Sequence, residues 1–293
     1  MVSLVVGKLL VTTPFVKWVG GKSRLLPQLE GLLPERITNW VEPFCGGGGS
    51  LLGLGCVRAE ACLAGDLNYS LINAFRAVRD AVEPLIVELE GLCRMGHYTQ
   101  VYYQLREEYN SRPQSIHTLR ADVRLAALFI FLNKTCFNGL YRVNKLGQWN
   151  VSCGNYEAPI IYEPDHLRAV SHALRSVGLA HVGWETMLEH CCPGDFVYLD
   201  PPYTPASASS SDVNYNAEGF CHRDHLQLRD ACVRLTDGGV RFMLSQSDTP
   251  LTREMYARPG WSVSTVFVGR SISSKASTRG DVRELVVRNY TTS

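Results

Sequence analysis

Net charge is nearly absent from this sequence: 29 Lys and Arg residues against 28 Asp and Glu residues leave +1 over 293 residues. A uniformly basic surface is therefore excluded, and any contact with nucleic acid must come from local patches. The apolar start at residues 2–11 is interrupted by Lys8 and lacks the basic leader and cleavage site of an export signal. We expect a cytoplasmic protein that neither spans nor binds a membrane.

Paired cysteine spacing is also missing. The chain has 10 cysteines, yet none of them form Cys-x-x-Cys, and Cys191 and Cys192 are the one adjacent pair. Disulfide frameworks and zinc sites depend on regular spacings, so this pattern predicts reduced, mostly buried thiols and no metal site. An apolar share of 45% and a charged share of 19% are typical of a globular protein. The length predicts about two domains.

The four residues Asp200-Pro201-Pro202-Tyr203 directly follow the apolar run 196–199. That run is typical of a buried parallel strand, which places the four residues at its carboxyl end, where open α/β sheets bind ligands. There Asp200 can accept a hydrogen bond from an amino group, and the two prolines leave the Pro201 carbonyl available to a second amino hydrogen. Tyr203 offers a flat face to a base removed from its stack. The motif predicts methylation of an exocyclic amine, and the alternative is a plain Pro-Pro turn.

A glycine-rich segment lies near the other end of the chain. The strand-like residues 38–41 lead into four glycines, 46–49, and then into an apolar helix start at Ser50. Glycines allow the backbone to turn tightly and to approach a ligand closely, and the helix start adds unpaired N–H groups. Asp66 ends a second predicted strand about 20 residues after Gly46, the spacing at which an acid meets ribose hydroxyls in Rossmann-like folds. The segment therefore predicts an adenosine site.

Three other interpretations of this end of the chain compete. A flexible linker fits the composition, but the glycine run occurs once and lies between a strand signal and a helix signal. The tripeptide Gly21-Lys22-Ser23 matches the end of a phosphate-binding P-loop, yet that motif needs a glycine five residues before Gly21, where the chain has Val16. A dinucleotide-dependent dehydrogenase stays possible, although it leaves residues 200–203 unexplained.

The regular alternation of strands and helices stops after Asp66. Apolar residues at helical spacing predict helices over 85–94, 98–110 and 119–132. The stretch 133–156 has no clear period and is too long for an idle connection, which makes it a candidate recognition surface.

The alternation then resumes. Asp165 is predicted to cap a helix whose apolar face is formed by Leu167, Val170, Leu174 and Val177. The remaining strands are predicted over 240–244, 261–268 and 284–287.

Motifs at several places resemble those of the Dam-type DNA adenine-N6 methyltransferases, whose adenine-binding motif is Asp-Pro-Pro-Tyr. Besides residues 200–203, the segments that carry the resemblance are Phe15–Lys22, Glu42–Gly48, Tyr102–Asn110, Phe137–Arg142 and Arg270–Ser274. They extend over most of the chain and occur in the order expected of that family, which makes the resemblance specific.

The resemblance implies an α/β class I methyltransferase fold, which is Rossmann-like and has a mixed seven-stranded sheet with helices on both faces. It implies S-adenosylmethionine as the methyl donor and double-stranded DNA as the substrate. It further implies a catalytic domain over 1–68 and 167–293 and an inserted, mainly helical target-recognition domain over 69–166. We expect a monomer in solution.

The same resemblance assigns roles to individual residues. The predicted catalytic residues are Asp200, Pro201, Pro202 and Tyr203. The predicted cofactor residues are Trp18, Lys22, Phe44, Gly46, Gly48 and Asp66, with Asp200 shared between cofactor and base. The residues predicted to approach base edges in the tetranucleotide GATC are Lys17, Leu140 and Arg142. Phe137 would fill the gap left by a flipped adenine. The remaining predicted DNA-binding residues are Asn138 and, at phosphate positions, Asn144, Asn150, Ser207 and Ser209.

Two positions depart from the family pattern. Ser152 and Asn155 stand where the family often has Pro and Arg, so contacts near the end of the recognition stretch are expected to be weaker or different. Two other functions stay open. One is methylation of cytosine N4, which needs the same pocket but more often has Ser in place of Asp200. The other is a catalytically silent, sequence-specific DNA-binding protein, which the presence of every motif residue argues against.

Overall fold

The computed structural model describes residues 12–113, 120–203, 220–268 and 282–292. Within these ranges, seven strands form one sheet in the order β3-β2-β1-β4-β5-β7-β6. The strands are β1 Ile37–Glu42, β2 Ala59–Gly65, β3 Val177–Ala180, β4 Asp195–Leu199, β5 Arg241–Ser247, β6 Ser262–Val268 and β7 Val282–Arg288. β4 is parallel to β1 and β5, whereas β7 is antiparallel to β5 and β6. This mixed sheet confirms the predicted class I methyltransferase fold.

Helices separate most of the strands. They are α1 Leu26–Glu30, α2 Cys56–Arg58, α3 Tyr69–Asp80, α4 Val82–Arg94, α5 Tyr98–Ser111, α6 Val123–Thr135, α7 Pro164–Leu174, α8 Trp184–Glu189, α9 His222–Asp237 and α10 Pro250–Met255. A π-helical turn, Leu51–Gly55, precedes α2, and a short 3₁₀ turn, Phe137–Gly139, follows α6. Among the described helices, none combines the length and apolar character needed to cross a membrane. The same residues contain no cluster of three or more potential metal ligands.

The chain divides into two compact units. The first comprises the described residues of Met1–Gly21, Cys45–Val57 and Ala64–His181, and the second those of Lys22–Phe44, Arg58–Leu63 and Val182–Ser293. The first unit thus contains the glycine-rich segment together with the predicted insertion. Assignment of 69–166 to DNA recognition stays a prediction.

In the second unit, β4 is buried on both faces. Val197 and Leu199 belong to an apolar cluster that also contains residues of α8, α9 and β5. On the alternate positions, Phe196 and Tyr198 pack against Trp40 of β1, with ring centroids 5.0 Å and 5.7 Å apart. Burial on both faces is typical of a central parallel strand, and it holds the end of β4 rigidly.

In the first unit, α6 is apolar on all sides and packs among α3, α4 and α5. Three asparagine side chains in this unit each exchange two hydrogen bonds with the backbone of a distant residue. The pairs are Asn73 with Asp122, Asn110 with Trp149, and Asn133 with Lys17. In each pair the asparagine side chain accepts from the backbone N–H group and donates to the backbone C=O group of the distant residue. Backbone groups outside the helices and strands gain hydrogen-bond partners in this way.

Three details of the predicted elements were wrong. α7 begins at Pro164 with Glu163 as its N-cap, so Asp165 lies in the first turn and does not cap the helix. A proline fits this first position because its missing N–H would have no partner there. Val177 begins β3 and is not part of the helix face, because α7 ends at Leu174. The helix predicted from residue 119 starts at Val123, where the Asp122 side chain accepts from the Leu125 amide.

We predict that Asn133→Leu destabilises the protein by about 2 kcal/mol, because it leaves the Lys17 N–H and C=O groups without their buried partner. Urea unfolding followed by circular dichroism would measure the change. The matched control is Asn155→Leu at an exposed position, which should change stability by less than about 0.5 kcal/mol. Equal effects of the two substitutions would contradict the prediction.

Candidate active site

The glycine-rich segment forms a tight loop whose shape depends on positive φ angles. Gly46 has φ 47° and Gly48 has φ 77°, values in the left-handed region that glycine adopts without strain. The Gly46 amide donates to Oδ2 of Asp66 over 3.0 Å, and the Cys45 amide donates to the Gly65 carbonyl over 2.9 Å. The loop is therefore held against the residues that end β2.

Close packing also explains why these positions are glycine. A Cβ atom at Gly46 would lie 2.9 Å from Cδ1 of Trp18, and one at Gly47 would lie 2.8 Å from Cβ of Trp18. A Cβ atom at Gly48 would lie 2.7 Å from the Phe75 ring. Contacts inside the protein therefore disfavour a side chain at these three positions, and the positive φ angles agree with the predicted tight turn. Approach of a ligand to the loop stays a prediction.

Asp66 has the position expected of a ribose-binding acid. It follows β2, and its two carboxylate oxygens accept from two backbone amides, Oδ1 from Asn68 over 2.9 Å and Oδ2 from Gly46 over 3.0 Å. The carboxylate therefore holds the glycine loop against the turn that follows β2.

Trp18 lies between the glycine loop and the predicted recognition stretch. Its ring stacks on Tyr141, with centroids 5.6 Å apart and an interplanar angle of 25°. On the loop side it contacts Gly46 and Gly47. The first unit therefore brings together three of the predicted cofactor residues, Trp18, Gly46 and Asp66.

The second unit brings together another set at the end of β4. Asp200 directly follows Leu199, and its Oδ1 lies 2.7 Å from Nζ of Lys22. The Lys22 side chain is 3% exposed and the Asp200 side chain 18% exposed, so little water screens this ion pair. Loss of either partner would leave the other charge without compensation in a poorly hydrated site, which would destabilise the protein.

The surroundings of Asp200 change its proton affinity. Burial raises the pKa of Asp200 to about 6, an increase that Glu284 reinforces and that the charge and hydrogen bond of Lys22 and the hydrogen bond of Tyr203 oppose. Near neutral pH the carboxyl group is still ionised and can accept hydrogen bonds, but a modest fall in pH protonates it.

Tyr203 is held by a carboxylate that the sequence analysis did not identify. Its hydroxyl donates to Oε2 of Glu284 over 2.6 Å, and Nζ of Lys22 lies 4.8 Å from the ring centroid. Burial and the charges of Asp200 and Glu284 raise the pKa of Tyr203, so the phenol keeps its proton. An acid directly before the apolar run Leu285–Val287 of β7 was the available signal for Glu284.

Phe44 belongs to an aromatic cluster of the second unit. It stacks on Trp184 at 6.3 Å and meets Phe220 edge-on at 5.9 Å. Pro201 is buried and Pro202 half-buried. Contact of Phe44 with a cofactor stays a prediction.

Lys17, a predicted DNA contact, is held on several sides within the first unit. Its Nζ donates to the Lys134 carbonyl over 3.3 Å and lies 4.1 Å from the Tyr156 ring centroid. Gly139, at φ 65°, packs against the aliphatic part of the side chain, where a Cβ atom would lie 2.5 Å from Cδ of Lys17. The lysine is therefore restrained in one conformation.

Arg142 and Asn150 face each other across a hairpin-like turn. Nε of Arg142 donates to Oδ1 of Asn150 over 2.8 Å, a bond that does not use the terminal nitrogens of the guanidinium group. Oδ1 of Asn144 accepts from the Leu146 and Gln148 amides and so fixes the tip of the turn. Both asparagines thus organise the turn, and their predicted phosphate contacts stay predictions.

Three further predicted DNA residues lie at the surface. Phe137 is 52% exposed and Leu140 37% exposed, so both side chains are accessible to a ligand. Asn138 has φ 54°, which turns the chain sharply between them. Ser207, Ser209 and the segment Arg270–Ser274 lie outside the described residues.

Comparison with known proteins agrees with this arrangement. A family model described as D12 class N6 adenine-specific DNA methyltransferase matches residues 18–268. The chain is 36% identical to the type II methyltransferase M1.LlaDCHI of Lactococcus lactis subsp. cremoris, covering 94% of this chain and 95% of that protein. It is 34% identical to the type II methyltransferase M.MjaIII of Methanocaldococcus jannaschii, covering 94% and 99%. It is 33% identical to the DNA adenine methylase of Salmonella typhi, covering 93% of each.

The family match extends over most of the chain and includes the glycine loop, the recognition stretch and residues 200–203. It confirms the resemblance seen in the sequence and selects adenine over cytosine among the alternatives. It also implies S-adenosylmethionine as the methyl donor. The chain belongs to the D12 class of N6 adenine-specific DNA methyltransferases and is an adenine-specific DNA methyltransferase.

Proposed function

We propose that this enzyme methylates N6 of an adenine rotated out of duplex DNA, within the sequence GATC. The observation that carries the proposal is Asp200, half-buried at the end of β4 and paired with Lys22, followed by two prolines and the anchored ring of Tyr203. A base inside the duplex cannot reach such a group, so the adenine must leave its stack at a cost of a few kcal/mol.

The chemistry of the target amine explains the choice of residues. Adenine N6 is a poor nucleophile because its lone pair is delocalised into the ring. Acceptance of the two amino hydrogens by Asp200 and the Pro201 carbonyl favours a pyramidal nitrogen whose lone pair is available for attack. The rate enhancement then comes mainly from positioning.

A strong base is unnecessary before the methyl group moves. The N6 proton becomes acidic only as the new N–C bond forms, and Asp200 or water can then accept it. Lys22 keeps Asp200 ionised near neutral pH, because its positive charge opposes the effect of burial.

The first unit offers groups that fit the adenosine of S-adenosylmethionine, which supplies an electrophilic methyl group when bound. Asp66 follows β2 and accepts from the Gly46 amide, which is the place where an acid meets ribose hydroxyls in Rossmann-like folds. Trp18 lies beside this loop. Cofactor binding is assigned to Trp18, Gly46, Gly48 and Asp66 of the first unit. The cofactor contacts of Lys22, Phe44 and Asp200 stay predictions.

Recognition of DNA is proposed for the segment 69–166. The restrained Lys17, the exposed Leu140 and the guanidinium group of Arg142 are suited to base edges, and Arg is the usual partner of guanine O6 and N7. The exposed ring of Phe137 is suited to fill the space of a flipped base. The tetranucleotide GATC rests on the resemblance to the Dam-type enzymes.

The first test compares the purified protein with Asp200→Asn and Asp200→Ala. The wild type should place N6-methyladenine in GATC when added DNA is sequenced for modified bases, whereas both variants should lose methyl transfer by at least about 100-fold. The Asp200→Asn variant retains one oxygen that can accept from the buried Lys22. Its melting temperature should therefore fall less than that of Asp200→Ala. Full activity in a folded Asp200→Asn variant would contradict the role of Asp200, and methylation at other sites would contradict GATC.

The second prediction concerns pH. Protonated Asp200 cannot accept hydrogen bonds from both Lys22 and the target amine. The value of kcat/KM should therefore fall about tenfold per pH unit below about pH 6 and level off above that pH. Since Lys22 lowers the pKa of Asp200, Lys22→Met should move the midpoint upward. A midpoint near 4, the value of a carboxyl group in water, would argue that Asp200 is not the titrating group.

The third prediction concerns base discrimination. Arg142→Ala should reduce discrimination at one G·C pair by about 1 to 3 kcal/mol. Methylation rates on duplexes with each single substitution in GATC would measure this. Lys145→Ala, in the same exposed turn, is the control and should leave discrimination unchanged. If Arg142→Ala slowed all substrates equally, Arg142 would be a phosphate contact.

A further inference from the structure

Glu284 is a carboxylate beside the Asp-Pro-Pro-Tyr motif to which neither the motif nor the proposed mechanism gives a role. It lies on β7, where it pairs with Ser247 of β5 and Val266 of β6. The next three residues of the strand, 285–287, are apolar and fully buried, whereas Glu284 is half-buried. A carboxylate at this edge of an apolar core is costly unless it has a specific partner.

The partner of Glu284 is the hydroxyl of Tyr203. The donor–acceptor distance of 2.6 Å is in the range of charge-assisted O–H···O⁻ hydrogen bonds, which are shorter and stronger than neutral ones. The phenol remains protonated throughout the working pH range, because its pKa is raised by burial first and by Asp200 and Glu284 next.

This bond restrains the ring of Tyr203 at the end remote from the backbone. The preceding Pro201 and Pro202 limit the backbone at the other end, since proline fixes φ. Nζ of Lys22 lies 4.8 Å from the ring centroid. A tyrosine without a partner for its hydroxyl could still rotate about its side-chain bonds, whereas this ring is held at both ends.

We propose that Glu284 is a positioning residue for methyl transfer, whose carboxylate holds the Tyr203 hydroxyl and thereby fixes the plane of the ring against which the target adenine lies. The proposal rests on the proposed role of residues 200–203. Glu284 acts through Tyr203, so it touches neither the base nor the methyl group.

Glu284 also acts on Asp200 through its charge, and this effect on the pKa of Asp200 can be measured separately from the hydrogen bond to Tyr203. The charged and titratable groups that act on Asp200 are Lys22, Glu284 and Tyr203, and Tyr198 lies close enough to feel its charge. Among these, Glu284 raises the pKa of Asp200, whereas Lys22 and Tyr203 lower it. Removal of the Glu284 charge should therefore shift the pH midpoint of activity downward, opposite to Lys22→Met.

The experiment compares Glu284→Gln, Glu284→Leu, Tyr203→Phe and the double variant Glu284→Leu/Tyr203→Phe. Glu284→Leu removes the acceptor and should lower kcat on the order of 100-fold, the cost of a misplaced reacting group, with little change in KM for DNA. Tyr203→Phe should lower kcat by a similar factor. The double variant should be no slower than either single variant, because both substitutions break the same contact.

Glu284→Gln separates the hydrogen bond from the charge. Its amide oxygen can still accept from Tyr203, so kcat should fall only a few-fold, while the midpoint of the pH profile moves to lower pH. The control Glu254→Gln, an exposed carboxylate of α10, should change neither kcat nor the midpoint. Melting temperatures and equilibrium binding of S-adenosylmethionine identify any variant that has lost its fold.

The outcomes are distinct from those that test the proposed function. Wild-type activity with full activity in Glu284→Leu would overturn the positioning role and leave the methyltransferase assignment intact. The role would also be wrong if the losses of Glu284→Leu and Tyr203→Phe multiplied in the double variant, because the residues would then act independently. Absence of N6-methyladenine with the wild-type protein would instead contradict the proposed function itself.

Discussion

The ion pair between Lys22 and Asp200 is the interaction on which the second unit depends. A carboxylate at the end of a strand buried on both faces loses most of its hydration, which favours the protonated form. The lysine opposes this effect at 2.7 Å and is itself buried, so neither charge is tolerable alone. Tyr203 and Glu284 extend the pair into a small network of charges and hydrogen bonds. This network holds the Asp200 carboxylate and the Tyr203 ring, the two side chains of the motif that are proposed to contact the target base.

The glycine loop of the first unit depends on a different constraint, which is space. Positive φ angles at Gly46 and Gly48 and the close approach of Trp18 and Phe75 leave no room for a Cβ atom. Asp66 then secures the loop by accepting from its backbone. A loop held in this way is restrained to one conformation, which would reduce the entropy lost if the proposed cofactor binds there.

Preorganisation also characterises the stretch that follows α6. This stretch has little regular secondary structure, so its polar backbone groups need other partners. Asn133 donates to the Gly139 carbonyl, and Asn144 accepts from two backbone amides at the tip of the turn that carries Arg142. An irregular backbone that is held by side-chain hydrogen bonds can present a few side chains in fixed directions, as the proposed recognition surface requires.

The sequence by itself determined those features that depend on neighbours along the chain. The apolar run before Asp200 predicted a buried strand, glycines predicted a tight loop, and the order of motifs predicted the family and its fold. Only the tertiary structure decided which distant residues meet, because a sheet of mixed strand order brings together positions far apart in sequence. Glu284 reaches Tyr203 because β7 lies beside β5, and Asn150 holds Arg142 because the chain turns back on itself. Local errors had a similar cause: Val177 fits the helical period of α7, but it belongs to β3 because pairing in the sheet outweighs that period.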